Sequence, residues 1–141
     1  MATWQFGPFD NDDAVEWCGV LEAATPDQRS TITCLALDAA AVSTGRTPTA
    51  NEAARAVAAA AVVLQSLTGR AVSDSAYAPR SLMSREDIKG EPPLRDLAIR
   101  ALDAVLSDGS TWRRRWADDI EEEEALAVIE NLRRNLASET P

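Results

Sequence analysis

An all-α fold, a compact bundle of five to six helices with a docked aromatic N-terminal arm, is what this 141-residue sequence predicts. Three observations carry the prediction. Apolar residues recur at helical spacing through most of the chain. Helix starts are marked twice by threonine capping boxes, at Thr25 with Gln28 and at Thr49 with Glu52. No run alternates apolar and polar residues with the period of a strand. One domain over 1–141 is expected, with an arm at 1–11 and a long loop at 70–92.

The arm, MATWQFGPFDN, is too interrupted by Gly7 and Pro8 for a helix, yet it carries Trp4, Phe6 and Phe9. Three aromatics on one segment favour burial, so the arm is expected to dock on the helices behind it. Helix one follows, capped by Asp10 or Asn11, with Asp12 and Asp13 in the first turn where carboxylates complement the macrodipole. Ala14, Trp17, Cys18, Leu21 and Ala24 form its predicted buried stripe.

Thr25 and Pro26 then open a second helix running to about Ser43, because Pro suits the first helical position. Its predicted inner face is Ile32, Leu35, Ala36, Ala39 and Val42. Helix three starts after Thr49 and ends at Gly69. Its alanines from Ala53 to Ala61 lie on most faces, which lets neighbours approach from several sides and makes it the candidate central helix.

Between 70 and 92 the pattern breaks, apart from a short helical turn expected in SLMSREDI. A loop of that length inside a compact domain is often functional. Helix four starts near Pro93 and is expected to bury Leu94, Leu97, Ala98, Ala101, Leu102 and Val105, with Arg95, Asp96, Arg100 and Asp103 in water. Ser110 begins a further helical stretch around Trp112 and Trp116. A last helix from about Ile120 buries Leu126, Ile129, Leu132 and Leu136, with Glu121 to Glu124 at its start and Arg133 and Arg134 at its end.

Composition narrows the function. The net charge of −9 repels phosphate backbones and anionic lipids, so neither nucleic acid nor membrane is an expected partner. The same field attracts a basic protein. No stretch has the roughly 18 apolar residues of a membrane span, and the start lacks a secretion-signal pattern, so a cytoplasmic location is expected. Cys18 and Cys34 are too few for a disulfide framework and fall on apolar helix faces, where buried thiols are expected. Histidine is absent, which removes the commonest general base and nitrogen ligand. No Ser-x-x-Lys spacing or phosphate-binding glycine loop is present, and the balance leans away from an enzyme. No cofactor is expected.

Two segments carry candidate chemistry. Asp10, Asn11, Asp12 and Asp13 cluster the oxygen ligands that calcium or magnesium takes, beside Trp4 and Phe9, although the spacing is not that of an EF-hand and capping of helix one explains the same residues without an ion. Arg113 to Arg115 between Trp112 and Trp116 combine cations with rings. Helical spacing puts the two tryptophans on one face as core anchors, and the six acids that follow favour ion pairs or a dimer contact over nucleic acid. Trp112, Arg113 and Trp116 are therefore a candidate interface.

The opening W-Q-F-G-P-F-D-N-D-D-A-V-E-W resembles the start of a bacterial family known as domain of unknown function 4259. The matching positions are Trp4, Gly7, Phe9, Asn11, Asp12, Ala14 and Trp17. Ala2 and Gln5 depart from it, standing where small glycines are frequent in the family, as does the long middle loop. The resemblance implies the domain boundary and the fold, and no activity. The expected function is then a small acidic protein-binding or accessory module, immunity-like, with an unidentified protein partner. An oxygen-ligand metal or small-molecule site at the Asp/Asn cluster is one alternative, and a structural homo-oligomer is another.

Overall fold

The computed structural model describes residues 12–41, 50–68, 94–106 and 119–138. Among the described residues the five elements are all helices: α1 (Asp12–Ala23), α2 (Pro26–Ala41), α3 (Ala50–Thr68), α4 (Leu94–Leu106) and α5 (Asp119–Ser138). The all-α bundle expected from periodicity is what the described residues form. The arm at 1–11, the loop at 70–92 and the stretch around Trp112 to Trp116 lie outside them.

In α1, Ala14, Trp17, Cys18 and Leu21 are buried at i, i+3, i+4 and i+7 spacing, as the sequence predicts. Ala24 is not part of that stripe: it lies beyond the helix end and is half-buried. Two residues, Ala24 and Thr25, connect α1 to α2. There the Ala24 amide donates to Leu21 O at 3.2 Å, and Thr25 O accepts from the amides of Gln28 and Arg29 at 3.0 and 3.2 Å. Thr25 thus stands at the N-cap, with its carbonyl taking the first intrahelical bonds and Pro26 in first helical position.

The buried face of α2 is Thr33, Leu37 and Ala40, not the predicted Ile32, Leu35, Ala36 and Ala39. Leu35 is 64% exposed, Ala39 is exposed, and Ile32 and Ala36 are half-buried. At 100° per residue, the helix is turned by roughly a third of a revolution from the expected orientation. The reason is compositional. Apolar side chains lie all round α2, so its pattern supports two faces, and the surfaces of α3 and α4, against which it packs, select one. Thr33 is tolerated at 0% exposure because its hydroxyl donates to Arg29 O, one turn back, at 2.8 Å.

As its alanine pattern predicts, α3 is the central helix, packing on all four others. Every residue from Ala56 to Leu67 is buried, including Gln65 and Ser66. A helix apolar on all sides is stable in water only when enclosed. In α4 the buried set is the predicted one, Leu94, Leu97, Ala98, Ala101, Leu102 and Val105. The seam of α5 is Ala125, Ile129, Leu132 and Leu136, with Leu126 half-buried at its edge. The buried residues form one contiguous cluster drawn from all five helices.

Two helix ends are closed by arginines from a neighbouring element. Neither α1 nor α5 has a basic residue in its last turn. Arg29 of α2 donates from Nε to Leu21 O at 3.1 Å and from Nη2 to Glu22 O at 3.3 Å. Arg95 of α4 donates from Nε to Leu136 O at 2.9 Å and from Nη2 to Ala137 O at 3.0 Å. Each guanidinium satisfies carbonyls that have no partner within the helix and places positive charge at the negative end of the dipole. Arg95 is accordingly half-buried rather than in water, with a side arm to Asp96 at 2.9 Å. Arg133, expected at the end of the last helix, sits short of its final turn and pairs with Asp103 of α4 through both guanidinium arms, Nε to Oδ1 and Nη2 to Oδ2.

Candidate functional site

Of the residues singled out from sequence, Trp4, Phe9, Asp10 and Asn11 lie outside the described residues, as do Trp112, Arg113 and Trp116. Asp12 is the first residue of α1, and Asp13, half-buried, follows in its first turn. A carboxylate in the first turn complements the positive end of the helix dipole; the residues expected to cap the helix, Asp10 or Asn11, lie outside the described residues. Among the described residues, no three His, Cys, Asp or Glu side chains gather closely enough to hold a metal ion.

What the helices do assemble is an open groove of about 280 Å³ between α1, α2 and α3. Its lining includes Trp17 from α1, Ile32, Leu35 and Ala36 from α2, and Glu52 and Arg55 from the start of α3. The groove follows from the rotation of α2. Because Thr33, Leu37 and Ala40 take the core, the other apolar flank of the helix is left facing outward beside Trp17, itself buried. Its volume lies just beneath the roughly 300–1,000 Å³ of sites that enclose drug-sized ligands. Shallow, apolar and flanked by Glu52 and Arg55, it suits side chains of a polypeptide better than a small molecule. Sequence reasoning missed it by assigning Leu35 to the core. The signal that could have exposed the error was the competing i, i+4, i+7 set Thr33, Leu37 and Ala40 on the same helix.

The surface around the α1–α2 hairpin is acidic. Residues 12–41 hold Asp12, Asp13, Glu16, Glu22, Asp27 and Asp38 against one base, Arg29, a net of −5 in a chain whose total is −9. Arg29 is committed to the end of α1. Glu16, Glu22 and Asp38 are exposed.

Both cysteines are free thiols. Burial, and secondarily the charge of Glu22, push the Cys18 thiol up to about 12. Desolvation followed by Asp38 raises that of the half-buried Cys34 as well. A low thiolate fraction makes neither a ready nucleophile. Asp103 raises the Arg133 pKa through its hydrogen bond and then its charge, in a solvent-exposed ion pair that links α4 to α5.

The fold defines a small helical protein with a buried alanine-rich central helix and an acidic hairpin. Within that class, the chain belongs to the family described as Domain of unknown function (DUF4259), whose model matches residues 2–128. Neither the curated proteins nor the solved structures contain a significant match to it. Among the described residues, no helix is long and apolar enough to cross a membrane.

Proposed function

We propose that this protein is a non-enzymatic, cytoplasmic binding module of the accessory or immunity-like kind, engaging a basic protein partner through the acidic surface of the α1–α2 hairpin. The observation that carries the reading is the concentration of negative charge there: a net of −5 within residues 12–41, with the one arginine occupied by helix carbonyls. A surface of one sign raises the encounter rate with a complementary partner and repels those of like charge. Glu16 and Asp38 reach solvent and are available for such contacts.

The test is capture of partners from native extract at low and moderate salt, by the wild-type protein and by a Glu16→Lys, Asp38→Lys variant. Electrostatic capture weakens as the screening length falls towards ~8 Å near physiological ionic strength. A specific partner that is lost both with added salt and in the folded variant supports the reading. If the wild-type and charge-reversed proteins capture the same set equally well, the acidic hairpin is only a solubilising surface.

A further inference from the structure

The groove between α1, α2 and α3 leaves apolar surface in water that a helical bundle ordinarily covers. Among the described residues the exposed large apolar side chains are Val20, at 55%, and Leu35, at 64%, one on each helix of the acidic segment 12–41. We infer that this groove takes an amphipathic helix of a partner protein, one whose apolar stripe is flanked by lysine or arginine. The inference deepens the binding role proposed above and rests on it, naming the kind of segment that the acidic surface receives.

Helical spacing sets what fits. Ile32, Leu35, Ala36 and Ala39 of α2 line the groove, and from Ile32 to Ala39 that apolar wall runs about 10 Å along the helix axis. A partner helix covers the same length between positions i and i+7, so apolar side chains at i, i+3 or i+4 and i+7 reach the wall from one face. Trp17 of α1 lines the groove as well, and Val20 stands one turn further along the same side of that helix. A volume of about 280 Å³ takes a few anchoring side chains and leaves the partner's backbone and polar face outside. An extended peptide finds no strand edge to join among the described residues, whose elements are all helices.

Charge selects the flank. Asp13 precedes Trp17 by one turn, at i and i+4 and hence on the same side of α1, and the exposed Glu16 directly precedes it. The α3 rim carries one acid and one base, Glu52 and Arg55, and so adds no net charge. The negative rim is therefore that of α1, within a segment of net −5. A stripe flanked by cations meets it with the opposite sign. A second copy of this chain would bring its own −5 against it, and an acidic amphipathic helix would be repelled likewise.

The experiment uses the full chain and a synthetic peptide of about 18 residues with leucines at i, i+3, i+4 and i+7 spacing and lysines between them. Control peptides keep the composition but scramble the leucine spacing, or keep the leucines and replace lysine with glutamate. Binding is followed calorimetrically at low and moderate salt for the wild type, for Leu35→Ser and for Asp13→Lys with Glu16→Lys, each checked for folding and oligomeric state. Expected is binding of the lysine peptide by a monomer, weakened about tenfold or more by Leu35→Ser or by scrambling, and several-fold by salt or by the charge reversals. Leu35→Ser is expected to melt with the wild type, since Leu35 is exposed. No binding, or binding indifferent to Leu35 and to leucine spacing, overturns the inference and leaves the acidic surface to its own capture test. Binding that needs Leu35 and the spacing but ignores salt and charge reversal removes the cationic flank, and with it the role on which the inference rests. A wild-type dimer that Leu35→Ser dissociates assigns the groove to a second copy, and a Leu35→Ser protein that melts well below the wild type assigns it to the chain's own core; either result also overturns the inference.

Discussion

Replacing Ala60 with leucine tests the enclosure of α3 directly. Ala60 is 0% exposed, as are its neighbours Ala58, Ala59, Ala61 and Val62, so no direction around the helix offers room for a larger side chain. Leucine and alanine have similar helix propensities, and the substitution adds apolar surface, so an exposed site would accept it at almost no cost. At a closed site the three extra carbons force displaced rotamers and shifted helices, for about 1–3 kcal/mol. With an unfolding entropy of about 0.3 kcal/mol/K for 141 residues, that corresponds to a Tm lower by about 3–10 °C. Calorimetry and urea unfolding measure it, with Ala127→Leu on the exposed side of α5 as the control expected to stay within about 0.5 kcal/mol. If Ala60→Leu melted with the control, α3 would not be enclosed and the packing described here would be wrong.

Four further outcomes are expected. Leu37→Ala costs about 2–5 kcal/mol because Leu37 is 0% exposed, whereas Asp38→Ala stays within about 0.5 kcal/mol; equal costs in urea titrations would mean that α2 sits in another rotation. Gly19 is exposed in α1 and a Cβ there meets nothing within 4 Å, so Gly19→Ala raises stability by roughly 0.5–1 kcal/mol, and a drop in Tm would contradict the open geometry. Arg95→Ala speeds amide exchange in the last turn of α5 and costs about 1–2 kcal/mol, and Arg95→Lys restores only part because lysine lacks the two-pronged geometry; unchanged exchange would remove the capping role. The neutral Cys18 thiol contributes stability that is fully present below the unfolded value near 9.0 and lost as pH rises from there towards about 12. In that window the unfolded chain releases the proton first, so stability falls by up to about 1.4 kcal/mol per pH unit, a slope that Cys18→Ala should reduce in pH-dependent urea melts, leaving the share of Cys34, which is raised in the same direction.

Where a helix has one apolar face, its sequence was sufficient. In α4 the buried set is legible at sight, since Leu94, Leu97, Ala98, Ala101, Leu102 and Val105 fall on one stripe and charged residues on the other. In α1 the stripe from Ala14 to Leu21 is equally plain. The central place of α3 was readable from alanines on most of its faces, because such a helix has little surface to offer water. In each case one arrangement alone hides the apolar residues, so local pattern and global packing agree.

The remainder depended on distance along the chain. Nothing in the pattern of α2 chose Leu37 over Leu35, because both lie on apolar flanks and the choice falls to the shapes of α3 and α4. Nothing near Leu136 announces that Arg95, 41 residues earlier, closes its helix. The same is true of Asp103, 30 residues before the Arg133 with which it pairs. The groove is the product of these choices: Trp17 and Arg55 approach the outer flank of α2 only once three helices have docked. Sequence determined which segments are helical and how acidic the hairpin is. Tertiary packing decided which flank of α2 meets solvent, because the free energy of burial depends on what surface lies opposite as well as on what a side chain is made of.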